Sequence, residues 1–144
     1  MVAAGSLLGG LPSLPLPEEL VETLCRQPGA RIERIVSTGQ ATPDGQWYDQ
    51  DTDEWVLLVR GGARLRIEGE PQDRALAPGD YLLLPAHCRH RVTWTERDPP
   101  TIWLAVHFSP TAYTNGFDGW LLGFPAGFIC DSLARGGFAP WDQR

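Results

Sequence analysis

The sequence predicts a single all-β domain, a jelly roll or closed β-barrel, preceded by a short helix and followed by an aromatic-rich extension. Three observations predict it. The 144 residues suit one domain. Gly (16) and Pro (13) are dense enough to favour many turns over long helices. Between residues 31 and 108, short apolar runs alternate with turn signals such as TPDG, GEPQD, APGD and ERDPP. Strands of this length and spacing close into a barrel or sandwich, which hides their edges.

Taken in order, residues 1–16 are rich in Gly, Pro and Leu and read as a flexible N-terminal arm. Pro17 followed by EELVETLC fits a helix start, with proline in the first turn and glutamates at the positive end of the dipole. Gly29 ends it. Strands are expected at 31–37, 46–50, 54–60, 63–68, 81–84, 89–95 and 101–108. Ala63, Leu65 and Ile67 alternate with Arg64, Arg66 and Glu68, the mark of a strand with one wet face. In the next-to-last run Arg89, Arg91 and Thr93 alternate with His90, Val92 and Trp94. With the arginines in water, His90 and Trp94 point inward. Residues 17–144 thus form one domain, with a barrel core at about 31–108 and an extension at 109–144. The extension carries Phe117, Trp120, Phe124, Phe128, Phe138 and Trp141 and is too apolar for a solvated linker.

Charge narrows the partners. A net charge of −6 repels phosphate backbones, so no nucleic acid is expected. The N-terminus has no basic residue before its leucines and is broken by Gly and Pro, so neither a signal peptide nor a membrane span is expected. Cys25, Cys88 and Cys130 make an odd count without a CxxC pair, which argues against a disulfide framework. The expected compartment is the cytoplasm.

The runs EWVLLVRGGARLRIEG, LAPGDYLLLPAHCRHRVTW and TIWLAVHF resemble the cupin superfamily over roughly residues 31–108. The family's second motif, G-x5-P-x-G-x2-H-x3-N, is matched by Gly79, Pro85 and His90; His87 stands for the second glycine and Trp94 for the asparagine. The first motif, G-x5-H-x-H-x3,4-E-x6-G, keeps Glu54 and Gly61, with Tyr48 and Gln50 where its two histidines would stand and Thr42 for its leading glycine. The resemblance implies a small barrel, often a homodimer, holding a divalent transition metal (Fe, Mn, Ni, Cu or Zn) or a small organic ligand inside.

Carried over by position, the metal ligands are Glu54, His90 and, as a weak donor, Gln50. Tyr48 and Glu54 are the catalytic candidates. Tyr48, Gln50, His87, Trp94 and His107 are expected to line the substrate pocket. His107 is double-edged: strand alternation groups it with Trp103 and Ala105, opposite the more core-like Ile102, Leu104, Val106 and Phe108, and by itself turns it outward. For Tyr48 and Gln50 the plainer reading is a polar pocket wall, and for Trp47, Trp55 and Trp94 it is core packing. Asp49, Asp51 and Asp53 read as a solvated acidic loop, since no glycine and no later Glu stand where a calcium loop needs them. Two function classes remain. One is a metal-dependent oxygenase, isomerase or lyase. The other is a non-catalytic ligand-binding or structural dimer without metal.

Overall fold

The computed structural model describes residues 1–110, so the expected aromatic extension lies almost wholly outside the described residues. Eight strands follow one another: β1 (Leu20–Gln27), β2 (Ala30–Ser37), β3 (Asp53–Arg60), β4 (Ala63–Ile67), β5 (Arg74–Leu76), β6 (Tyr81–Leu84), β7 (His90–Thr95) and β8 (Thr101–Phe108). A five-stranded sheet in the order β1-β2-β8-β3-β6 faces a three-stranded sheet in the order β5-β4-β7, and every pairing is antiparallel. The core lies between them, with Val56, Leu58, Leu82, Leu84 and Trp103 from the large sheet meeting Leu65, Ile67 and Leu76 from the small one.

The expected N-terminal helix is a strand. Eight residues bury too little to hold a lone helix turn, and helices this short are marginal in water. The free edge of β2 offers instead a ladder of unpaired backbone groups, which β1 fills from Leu20↔Val36 to Gln27↔Ala30. Pro28 and Gly29 make the two-residue turn, with Gly29 at φ 76°. The run expected as a strand at 46–50 keeps a single bridge, Tyr48↔His90. The short β5, within what reads as a turn region, was not expected.

The N-terminal arm is tied down at two points. Arg34, buried on the outer face of β2, donates from Nη1 to the carbonyls of Ser6, Leu7 and Gly9 and pairs with Glu22 at 2.5 Å. Farther on, Thr38 Oγ1 accepts from the Leu16 amide at 3.0 Å. Asp53 is also not solvated: it is 2% exposed, and its Oδ1 accepts from the Ala86 amide at 2.8 Å, pinning the turn between β6 and β7 to the start of β3. Cys25 is an exposed free thiol, and Cys88 is buried against the core.

The β3–β4 hairpin tests the packing. Gly61 sits at φ 79°, and a Cβ there would lie 2.8 Å from Thr101 Cα and 2.9 Å from its Oγ1. Gly69, at φ 87°, has nothing within 4 Å. Gly69→Ala should therefore cost only the left-handed backbone penalty, about 1 kcal/mol, and Gly61→Ala about 3 kcal/mol or more. Urea denaturation of the two variants checks this; equal losses would contradict the close approach of β8 to the hairpin.

Candidate functional site

Register builds the site. In antiparallel sheets, directly opposed residues put their side chains on the same face, and every second residue along a strand shares it. Across the large sheet one inward row reads Leu84, Glu54, His107, Arg31. The next reads Leu82, Val56, Ala105, Glu33, and a third brings Leu58, Trp103 and Ile35 together. Apolar residues thus form the floor, and the first row with Glu33 forms a polar wall. From the small sheet, His90 opposite Ile67, and Val92 opposite Leu65, close the other side.

The segment before β3 lies along the outer edge of β7 and carries Tyr48 and Gln50 inward. It is held by Tyr48 N to His90 O (2.8 Å), His90 N to Tyr48 O (3.2 Å), His87 N to Gln50 O (2.7 Å) and Thr42 N to Val92 O (2.8 Å). As opposed residues, Tyr48 and His90 stack with ring centroids 5.5 Å apart. The result is a cavity of about 200 Å³, whose polar lining is Glu19, Arg31, Glu33, Tyr48, Gln50, Glu54, His90 and His107.

Hydrogen-bond roles follow from chemistry. His90 Nδ1 lies 2.8 Å from the Cys88 carbonyl, which can only accept, so Nδ1 carries a proton, and in the neutral ring Nε2 presents a lone pair. That Nε2 faces Glu54 Oε2 at 3.7 Å, and Gln50 Nε2 donates to the same oxygen at 2.7 Å. On the opposite wall His107 Nε2 lies 3.4 Å from Glu33 Oε2, an acceptor that favours a ring proton on that nitrogen. Arg31 Nε is 2.8 Å from Glu33 Oε1, but off the line a hydrogen bond needs. Burial, reinforced by the charges of Glu19 and Glu54, raises the Tyr48 phenol above its ordinary value, against a lowering hydrogen bond with Thr42. Burial likewise raises Glu19, whose carboxylate accepts from Ser37 Oγ at 2.5 Å.

Of the residues expected at the site, Tyr48, Gln50, Glu54, His90 and His107 line the cavity. His107 is inward and 6% exposed, although alternation turned it outward. The reason is that β8 is a central strand: Ile102 on its other face is also fully buried, so apolarity does not mark the interior. Trp94 is not in the cavity. Arg64 opposes Trp94 and Leu65 opposes Val92, so Thr93 is an extra residue in a bulge that turns Trp94 outward. It is 46% exposed, beneath the Arg64 guanidinium at 5.9 Å. His87 is also outside; its turn has φ 63°, and its largely exposed ring meets Asp49 at 3.0 Å. Arg31 and Glu33 escaped the sequence reading. In RIERIVS the charged residues face the cavity, while Ile32 and Val36 face outward.

The donor set fits a resident metal poorly. Glu54 and the bare Nε2 of His90 are sound ligands, but Gln50 turns its amide N–H to Glu54, and the raised phenol of Tyr48 stays protonated. No group of three His, Cys, Asp or Glu side chains converges on an ion position among the described residues.

Comparison with known proteins agrees with this architecture. The profile of the family described as Cupin domain matches residues 35–107. A crystal structure named "putative mannose-6-phosphate isomerase", from Ralstonia eutropha JMP134, is 48% identical with a TM-score of 0.72, over 74% of this chain and 98% of that one. A cupin superfamily protein from Desulfitobacterium hafniense DCB-2 is 19% identical with a TM-score of 0.60, over 74% of this chain and 91% of that one, and so shares the fold. No curated protein matches. No helix among the described residues is long and apolar enough to cross a membrane.

Two measurements check the electrostatics. Long-range ¹⁵N spectra should show neutral His90 protonated at Nδ1 and neutral His107 at Nε2; the opposite pattern would contradict the pairings above. The phenolate titration lost in Tyr48→Phe should fall above the ordinary tyrosine value, and Glu54→Gln, by removing a repelling charge, should lower it.

Proposed function

Starting from a chain that belongs to the cupin family, we propose that the barrel interior binds a small polar organic molecule and that Glu54 and His90 move protons on it, in isomerase- or lyase-type chemistry. The observation that carries this reading is the pairing of a buried carboxylate with a bare imidazole nitrogen 3.7 Å away inside a cavity. Both groups are acceptors as they stand, so each is equipped to take a proton. The Ralstonia relative's name, an isomerase of a sugar phosphate, supports the reaction class.

In an α-hydroxy carbonyl substrate, Glu54 takes the proton from the carbon beside the carbonyl. The C–H electron pair becomes the new C=C bond of an enediol, and the carbonyl π pair moves to its oxygen. The neutral Tyr48 phenol donates a proton to that oxygen, and His90 Nε2 accepts the neighbouring hydroxyl proton as the carbonyl re-forms one carbon along. Glu54 returns its proton to the other carbon, and the proton on His90 passes through water to the Tyr48 phenolate, restoring the site. Gln50 orients the Glu54 carboxylate.

Incubating the protein in D₂O with D-mannose and with D-mannose 6-phosphate tests this. Deuterium should enter at the α-carbon of at least one of them, and Glu54→Gln should slow that exchange by about 10²-fold or more. No exchange in the wild-type protein, or exchange indifferent to Glu54 and His90, overturns the reading. Stoichiometric divalent metal in protein purified without chelator, lost in Glu54→Ala, would replace it with the metal-dependent reading.

A further inference from the structure

The wall opposite His90 carries polar capacity that the proton-transfer scheme leaves unused. Arg31 and His107 are directly opposed in the β2–β8 ladder. Arg31 Nε and His107 Nδ1 are both buried, and neither has a hydrogen-bond partner. His107 is more than nine-tenths buried and lines the cavity. An unsatisfied buried polar atom is costly, and Arg31 and His107, opposed in the ladder, both line the cavity, where a bound molecule that reaches these atoms supplies the missing bonds. Their chemistry is complementary. Arg31 Nε–H can only donate, and His107 Nδ1 accepts when the ring proton sits on Nε2, the side that faces Glu33. A hydroxyl group does both at once.

The charges on the lining decide the rest. Three carboxylates, Glu19, Glu33 and Glu54, face the cavity with one guanidinium, Arg31. Glu33 already neutralises Arg31 at 2.8 Å. One guanidinium offsets one of the three carboxylates, so the lining carries an acidic excess. A further anion in so small a space is repelled.

We infer that Arg31, Glu33 and His107 form a second binding station that reads a hydroxyl of the ligand, and that the cavity selects an uncharged polyhydroxylated molecule over its phosphate ester. This deepens the reading of the Glu54–His90 site and rests on it for the position of the ligand. It also parts from the substrate in the Ralstonia relative's name.

Isothermal titration of the full chain at pH 8 and low ionic strength, with D-mannitol, D-mannose and D-mannose 6-phosphate, tests it. The two uncharged probes should bind at least about tenfold more tightly than the phosphate. His107→Leu should weaken D-mannitol binding at least about tenfold, and Glu33→Gln should narrow the gap between D-mannose and its phosphate. Thermal unfolding of each variant identifies one that fails to fold, and the wild-type comparison of the three probes stands without them. Tighter binding of the phosphate, or no binding of any probe at millimolar concentration, overturns the inference. So does polyol affinity unchanged in folded His107→Leu. D-Mannitol has no carbonyl and cannot react, so mannitol binding without deuterium exchange keeps this inference and removes the acid–base reading, while exchange confined to the phosphate does the reverse.

Discussion

The barrel interior depends on one register, the antiparallel pairing of β8 with β2 on one side and β3 on the other. It sets Arg31, His107 and Glu54 in a single inward row. Because side chains alternate strictly along a strand, a slip of one residue would send that row to the outer face and bring Ile32, Val106 and Trp55 in. The outer face of β2 helps hold the register. There Arg34 is bound to Glu22 and to three carbonyls of the N-terminal arm, a set of partners it would lose if turned inward.

The other half of the site comes from the small sheet by a different route. His90 is aimed by its own backbone neighbourhood, through the Nδ1 bond to the Cys88 carbonyl. Tyr48 and Gln50 arrive on an irregular segment that borrows the backbone edge of β7 without continuing as a strand. Glu33, Glu54, His90 and His107 are all buried. Burying ionisable groups costs free energy, and here Glu54 accepts from Gln50 while Glu33 and Glu54 each lie within 3.7 Å of an imidazole. Apolar residues in their place would pack without that cost, so the paired groups point to chemistry rather than to stability.

Much of this was legible in the sequence. The turn signals located six of the eight strands, and the run from Gly79 through Pro85 to His90 identified the family and the inward histidine. Glu54 followed from the resemblance, as the residue that keeps the glutamate of the family's first motif, with six residues between it and Gly61. The errors have local physical causes. β1 was read as a helix because Leu20, Val21 and Leu24 suit either period over so short a run, and only the free edge of β2 selects the strand. Alternation carried through Thr93 places Trp94 inside, but the ladder skips a residue there. Arg31 and Glu33 are not legible as interior groups, because charge in a strand ordinarily marks its wet face.

The sequence by itself determined the fold class, the family and two of the interior groups, because these rest on local turn chemistry and on spacing along one chain. The tertiary structure decided which face of β2 and β8 is the interior, the pairing of Glu33 with His107, and the outward position of Trp94 and His87. Those depend on what lies across the barrel. A strand covered on both sides carries no hydrophobic contrast between its faces, and a bulge leaves no reliable mark in the residues that form it.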